Sequence, residues 1–598
     1  MREYSAPAMV EIPGSANLTE IVFQRADSEP DAVMLRRKDP SGGWRDVTAR
    51  KFRDEVTLVA KGLVASGIEP GDRVALMSRT RYEWTVLDYA ILTAGAITVP
   101  IYETSSAEQV EWIAGNSGVK AAFAETADHE AIFEQVRGQL TSLESVWRIS
   151  APVLEELTRA GSEVTDEEID KRRTASGAAD VATIIYTSGT TGKPKGCELT
   201  HANLLSDVRN AVAGALSDVF EVAGGSTLLF IPLAHVFSRI IQIGCLESGT
   251  VLGHTSTSGD LLADLGSYKP TFILAVPRVF EKVYNGAEQK ATADGKGKIF
   301  RAAADTSIAY SRSLDSGGPG IGLRLKHALF DRLVYGKLRA AVGGEARFAV
   351  SGGAALGDRL GHFFRGVGIT ILEGYGMTET TAAATVNRPN RNKVGTVGQP
   401  LPGVAIKIAD DGEILIKGPN VFAGYWHNDQ ATAEMMDGDW IRSGDLGSLD
   451  DEGFLTVSGR KKEIIVTSGG KNVAPAVLED RIRAHPVVSQ AMVVGDARPY
   501  VACLITLDEE AIGFWKQQHG KPADATIADL ASDSDLNAEI QDAVHEANKA
   551  VSRAESIRRF RVLQHDFTEE GGQLTPSLKV RRNVVAKDFA ADIEALYA

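Results

Sequence analysis

Ten residues, Thr187-Ser188-Gly189-Thr190-Thr191-Gly192-Lys193-Pro194-Lys195-Gly196, gather four hydroxyls, three glycines and two lysines behind an apolar run at 181–186. Glycines let backbone N–H groups approach phosphate oxygens, hydroxyls donate hydrogen bonds and lysines add charge, so the loop suits a polyphosphate. It is not a Walker A loop. Thr187 stands where that motif begins with glycine, and Pro194 follows Lys193 where it needs Ser or Thr. An ordinary phosphate-loop kinase or GTPase is therefore disfavoured.

Further chemistry follows apolar runs. Glu373-Gly374-Tyr375-Gly376-Met377-Thr378-Glu379-Thr380 comes directly after the run 369–372, which places it at a strand's carboxyl end, where open α/β sheets bind ligands. A carboxylate there, beside phosphates, is enough for a hard dication that keeps most of its waters. Ser351-Gly352-Gly353-Ala354-Ala355 follows another apolar run, and Arg442-Ser443-Gly444-Asp445-Leu446 offers one acid in a turn. Downstream lie the cationic Ser458-Gly459-Arg460-Lys461-Lys462, the loop Thr467-Ser468-Gly469-Gly470-Lys471-Asn472, and Leu574-Thr575-Pro576-Ser577-Leu578-Lys579-Val580-Arg581-Arg582.

The elements that must hold these residues alternate in type. From about residue 180, short β-branched runs at 181–186, 228–231, 272–276, 348–350 and 369–372 alternate with helix-like segments, which predicts a mostly parallel sheet flanked by helices. The loop 187–196 is expected to lead to a helix capped by Thr200. After Gly395 the glycines cluster and apolar residues alternate, as in Ala405-Ile406-Lys407-Ile408, predicting a small antiparallel or barrel-like β unit. Beyond residue 462 the spacing predicts a strand at 464–466, a helix at 475–484 and a strand at 491–494, enough for a small α+β domain. Residues 281–339 have helical spacing with eleven basic and six acidic side chains, a net charge of +5. That is either a solvated face or a surface that could meet an anionic partner such as membrane lipid.

The ordered set of motifs resembles the adenylate-forming superfamily, in its long-chain fatty acid–CoA ligase branch, from about residue 50 to the C-terminus. The resemblance implies an α/β fold: a large N-terminal domain of two α/β subdomains and a small β-barrel-like one at 1–459, a hinge at 460–463, and a small mobile α+β domain at 464–598. It implies ATP and Mg2+, with CoA as cosubstrate and a fatty acid as substrate. Thr187, Ser188, Gly189, Thr190, Thr191, Gly192, Lys193 and Lys195 would hold phosphates, and Gly352, Gly353 and Ala354 the adenine. Within the segment Glu373, Gly374, Tyr375 and Gly376, Tyr375 would lie against the base. Thr378 would meet the α-phosphate, while Glu379, with Thr187, would hold the metal. Asp445 would bind ribose and Arg460 ribose or phosphate, Lys462 would be the pivot, and Gly469, Gly470 and Lys471 would line the CoA channel. Lys579 would enter the site for adenylation; Leu578 stands where many members carry glycine. His235 matches a position lining the acyl site, although a histidine in an apolar segment also reads as a hydrogen-bonded core residue. A ligase passing its acyl-adenylate to a carrier protein is the alternative, and both a monomer and a homodimer are compatible.

Composition bounds this reading. The 598 residues carry 64 basic and 79 acidic side chains, a net charge of -15, so broad nucleic-acid binding is excluded for want of a basic surplus. Cys197, Cys245 and Cys503 are too few and too scattered for a disulfide framework or thiolate metal site, which suits a cytoplasmic protein; none falls in a motif matched to the superfamily, so the resemblance implies no covalent enzyme intermediate. The opening residues lack the charged head and apolar run of a secretory signal. The two most apolar stretches, 84–102 and 228–252, are broken by Asp88 and by His235, Arg239 and Glu247, which favours buried elements over membrane spans.

Overall fold

The computed structural model describes residues 2–39, 41–187, 193–256, 261–575 and 578–598. A seven-stranded sheet runs in the order Gly424–Tyr425, Lys195–Thr200, Val181–Thr187, Ile97–Ile101, Arg73–Met77, Val119–Ala124, Ser145–Arg148. Its five strands from Val181–Thr187 onward are parallel, as the alternating pattern requires.

The other face of the site comes from a second sheet in which Phe272–Ala275, Phe348–Ser351 and Thr370–Tyr375 run parallel. A four-stranded sheet abuts its edge, Thr227 Oγ1 donating to the Phe272 carbonyl at 2.9 Å. The helix Asp358–Val367 returns the chain from the second strand to the third, burying Leu360, Phe363 and Phe364.

The two apolar stretches are buried elements. Every residue of the helix Tyr82–Thr93 is buried, and most of Val236–Ser248 is too. Two of the charges that interrupt them pair with each other: Arg239 Nη2 lies 2.5 Å from Asp88 Oδ1, both side chains essentially without solvent exposure. Thr98 Oγ1 donates to Asp88 Oδ1 at 2.8 Å, and Arg239 Nη1 to Thr183 Oγ1 at 2.5 Å, so the pair is hydrogen-bonded as buried ions must be. Burial pushes the Asp88 carboxyl pKa up, opposed by Arg239. No helix among the described residues is long and apolar enough to cross a membrane.

Two expectations about local structure change. The glycine-rich segment does not run straight from strand to helix. It joins the antiparallel hairpin of Val181–Thr187 and Lys195–Thr200, with Thr187 opposite Lys195. Only then does Thr200 cap the helix His201–Asn210, in a reciprocal capping box with Asn203. The strand Lys195–Thr200 escapes a pattern search because Gly196 and Glu198 interrupt its apolar residues.

The antiparallel unit after residue 395 also has an unforeseen member: Glu3–Ser5 pairs with Ala405–Ile408 at its edge. Three residues are too few to give a period, so tertiary pairing alone makes this strand.

Beyond residue 464 the chain builds its own apolar cores, one centred on Leu478, Val493, Cys503, Ile505 and Ile540 and another on Met492, Leu504, Phe567 and Val585. Strands Val488–Val494, Val501–Leu507 and Ile557–Val562 form the sheet between them. Pro475 starts the helix Pro475–Arg483 at a position where its missing N–H costs nothing.

Candidate active site

The carboxyl ends of Val181–Thr187, Phe348–Ser351 and Thr370–Tyr375 carry three of the sequence motifs. The last of these strands ends in a crowded turn. A Cβ on Gly376 would come 1.8 Å from the Ala382 carbonyl oxygen, so only glycine fits there. Thr381 and Ala382 then take positive φ values of 56° and 86°, a conformation that L-residues hold only when the surroundings enforce it. Thr381 Oγ1 donates to the Asn420 carbonyl at 2.6 Å, which anchors the turn.

This turn sets Thr378 and Glu379 in the short helix Thr378–Thr380, with the Glu379 side chain buried. Tyr425 Oη donates to Glu379 Oε1 at 2.6 Å. Burial and the neighbouring carboxylate drive the Tyr425 phenol pKa far above its ordinary value, so it remains a donor. The Cys197 thiol interacts with both the Thr187 and Glu379 side chains, and burial together with Glu379 raises its pKa well above 9.0. It is therefore a protonated, inert packing group.

Residues 188–192 of the glycine-rich loop lie outside the described residues. On its far side Lys193 Nζ sits 4.2 Å from the centre of the Trp112 ring and Lys195 Nζ 4.9 Å from that of Tyr425. Aromatic faces thus steer both cations.

A second cluster centres on Asp445. Tyr375 Oη donates to Asp445 Oδ2 at 2.6 Å, and Arg460 Nε stands 3.2 Å from Asp445 Oδ1. Asp445 and Arg460 are cross-strand partners in the antiparallel unit. Each carboxylate oxygen has more than one lone pair, so Asp445 can still accept from a ligand. Gly352 lies beside the Gly374 carbonyl, and Gly353 and Ala354 are exposed. Glu373 points away from solvent and accepts from the Leu356 N–H at 3.1 Å; burial raises its pKa to about 7. It is a strut for the 351–356 turn.

Lys579 comes from the other domain. Leu574 and Val580 bridge antiparallel around it, the Thr575 N–H donates to the Lys579 carbonyl at 2.9 Å, and Leu578 takes φ 59°, the left-handed conformation that glycine favours. Pro576 and Ser577 lie outside the described residues. The Lys579 side chain is open to solvent yet crowded by protein. Burial and the nearby Arg460 lower its pKa, while Asp445, Glu463 and Glu379 oppose the shift. One ammonium group therefore feels charges from both clusters.

His235 also lies within electrostatic reach of Lys579. It caps the helix Val236–Ser248, its Nδ1 accepting from the Phe237 N–H at 3.1 Å. Burial, then Lys579, lowers its pKa to about 4, so the ring is neutral at physiological pH.

The remaining expected residues lie elsewhere. Residues 469–471 form the exposed tip of the hairpin between Ile465–Val466 and Asn472–Val473. Their partners belong to the C-terminal domain: the Ser468 N–H donates to the Arg498 carbonyl, and Lys471 Nζ is 3.4 Å from Glu555. Lys462 is exposed between Lys461, which reaches Asp411 at 2.6 Å and Glu413 at 3.0 Å, and Glu463, which lies 3.6 Å from Arg582.

Tyr425 is the residue that sequence reasoning missed. It sits in a two-residue strand that docks on Lys195–Thr200, so only the folded chain brings it to Glu379.

The sequence profile described as AMP-binding enzyme matches residues 22–426, and the profile described as AMP-binding enzyme C-terminal domain matches residues 462–598. The chain belongs to the AMP-binding enzyme family. Within that family it is 52% identical, over the full length of both chains, to the long-chain-fatty-acid–CoA ligase FadD15 of Mycobacterium bovis and to that of Mycobacterium tuberculosis. Among solved structures it is similar to an o-succinylbenzoate coenzyme A synthetase from Bacillus subtilis in complex with ATP and magnesium ion. That likeness has a TM-score of 0.68 at 22% identity and covers 94% of this chain and 98% of the other. At that identity it speaks for the AMP-binding fold, a large N-terminal domain followed by a smaller C-terminal one.

Proposed function

We propose that this protein is a long-chain fatty acid–CoA ligase that uses ATP, forming AMP and pyrophosphate. Its full-length kinship to ligases of that name supports the substrate class. One observation carries the chemistry: Lys579 of the smaller domain lies within electrostatic reach of Glu379 and Asp445 of the larger and of Arg460 at the hinge, an arrangement that suits an adenylation step.

In the first half-reaction a fatty carboxylate oxygen attacks the ATP α-phosphorus and the bond to pyrophosphate breaks. The protein's task is to position reactants and offset charge. Loop 187–192 with Lys193 and Lys195 holds the phosphates, and Thr378 meets the α-phosphate. Tyr375 and the small residues Gly352, Gly353 and Ala354 receive adenine, Asp445 accepts from the ribose hydroxyls and Arg460 steadies Asp445. Lys579 orients the carboxylate and stabilises charge on the bridging oxygen, an effect strongest in the transition state. His235, neutral and fixed by its capping bond, forms a wall of the acyl site.

Mg2+ fits the donor set. Among the described residues no three His, Cys, Asp or Glu side chains converge, so a dication here relies on Glu379, the Thr187 hydroxyl, waters and the nucleotide's phosphates, which is how Mg2+ is usually held. When bound it neutralises phosphate charge.

In the second half-reaction the unit 464–598 turns about Lys462 within the hinge 460–463, withdrawing Lys579 from the body 1–459 and bringing residues 469–471 to the path of CoA. The CoA thiolate then attacks the acyl carbonyl and AMP leaves. The enzyme works in the cytoplasm, and its basic segment 281–339 meets membrane lipid peripherally.

Initial rates with ATP and CoA across acids from acetate to stearate test this reading. It expects thioester, AMP and pyrophosphate to appear together, with the long acids preferred. Acyl-adenylate accumulating unchanged in the presence of CoA would point instead to a carrier-protein acceptor.

A further inference from the structure

The helix Ile321–Phe330 has two apolar sides, and only one is used. Phe330 is its buried residue, and His327 packs inward, stacked on Tyr310 at 3.8 Å with Nε2 2.7 Å from the Gly366 carbonyl oxygen. On the outer side Ile321, Leu325 and Leu329 are 79%, 69% and 56% exposed, and Leu333 in the next turn is 48% exposed. At about 100° per residue, Ile321, Leu325 and Leu329 fall within an arc of about 80°, roughly opposite Phe330. Arg324 and Lys326, both exposed, stand about 100° to either side of the centre of that arc. A contiguous outward apolar ridge with a cation on either side marks a contact surface.

Charge decides what it contacts. Across residues 321–341 there are five basic side chains and one acid, Asp331, which Arg339 already holds at 2.7 Å. A second copy docking ridge to ridge about a two-fold axis would bring these cations against their own kind. A bilayer with anionic headgroups would pair with the cations while its hydrocarbon receives the ridge, as in amphipathic helices that lie in the interface. The chain as a whole carries -15, so an anionic surface repels most orientations and selects the one that presents this helix.

We propose that Ile321–Phe330 is an interfacial anchor: Ile321, Leu325 and Leu329, with Leu333, insert into an anionic bilayer while Arg324 and Lys326 bind its headgroups. This rests on the peripheral contact proposed above and assigns it to one face of one helix. Such an anchor holds the ligase where long-chain acids partition.

The experiment is co-sedimentation of the full chain with phosphatidylcholine vesicles, with and without phosphatidylglycerol. The wild type should bind the phosphatidylglycerol vesicles, more weakly at high salt. The triple substitution Ile321→Ser/Leu325→Ser/Leu329→Ser should lower partitioning ~tenfold or more, with ATP–pyrophosphate exchange on a detergent-dispersed acid retained. Arg324→Gln/Lys326→Gln, which leaves the ridge intact, should erase the preference for phosphatidylglycerol. The proposal is overturned if wild type ignores both vesicles, if the triple variant binds like wild type, or if light scattering finds a dimer that the triple substitution splits. Thioester formation from the detergent-dispersed acid, followed in parallel, tests the ligase reading separately, because it needs no bilayer.

Discussion

The hydroxyl of Tyr425 donates to Glu379 Oε1 at 2.6 Å, tying an edge strand of the first sheet to the end of the motif that closes the second. The bond fixes the rotation of a carboxylate proposed to meet Mg2+. Groups that orient metal-binding side chains commonly change affinity ~10–100-fold when removed. Tyr425→Phe should therefore raise the Mg2+ concentration for half-maximal ATP–pyrophosphate exchange by about tenfold and leave the KM for CoA unchanged. An unaltered Mg2+ dependence would show that Glu379 needs no such orientation.

Lys579→Ala should slow acyl-adenylate formation ~10²–10³-fold, the usual loss when one charge-stabilising donor is removed. Thioester formation from supplied acyl-adenylate should be spared, and equal losses in both steps would reject the role. The cation is the working form, and it loses its proton as pH rises. Because burial and Arg460 push its pKa below 10.5, the alkaline fall of the adenylation rate should begin at lower pH than for an ordinary lysine. Arg460→Gln removes one depressing charge and should move that limb upward.

Lys461 is bound to the body through Asp411 and Glu413, and Glu463 to the C-terminal unit through Arg582. The proposed pivot, Lys462, lies between them. Lys462→Pro, which locks φ near −65°, should preserve pyrophosphate exchange but cut thioester formation by about tenfold or more. Single-turnover measurement of each step distinguishes this from general damage, since a variant with a normal second step has its hinge elsewhere.

The Asp88–Arg239 pair should be costly to halve and cheap to replace. Arg239→Met leaves Asp88 buried without its counter-charge, a loss of ~3–5 kcal/mol in urea unfolding. Asp88→Leu/Arg239→Met removes both charges and should recover most of that loss. A double variant as unstable as the single one would mean that Thr98 and Thr183 depend on the ions for their own hydrogen bonds.

What was legible in the sequence follows from where the information is local. Strands at Phe348–Ser351 and Thr370–Tyr375 announce themselves by apolar runs, and the residues after them inherit a place at the sheet's edge. Thr200 could be recognised as a cap because capping is decided within four residues. The hairpin strand Lys195–Thr200 could not, because its buried members are set by partners on both sides. Cys197, in that same strand, was hidden beside Glu379 for the same reason, and Tyr425 was hidden because a two-residue strand has no signal of its own. Leu578 stood out as an unusual residue before Lys579, and its positive φ gives the reason: the turn demands a left-handed residue, and here a leucine bears the strain.

The apolar cores on the two sides of residue 464 do not merge among the described residues. Links across the boundary include the partly exposed Arg278–Asp508 pair at 2.9 Å and the Arg359 bond to the Ala484 carbonyl at 3.3 Å. Contacts of that kind contribute ~0–1 kcal/mol each and weaken in salt. The smaller unit is thus latched rather than glued, which suits the turn about Lys462 proposed above. In the proposed reaction such a latch can be tipped by whichever ligand binds one orientation better, so ATP, acyl-adenylate and CoA in succession would write the order of events in a turnover.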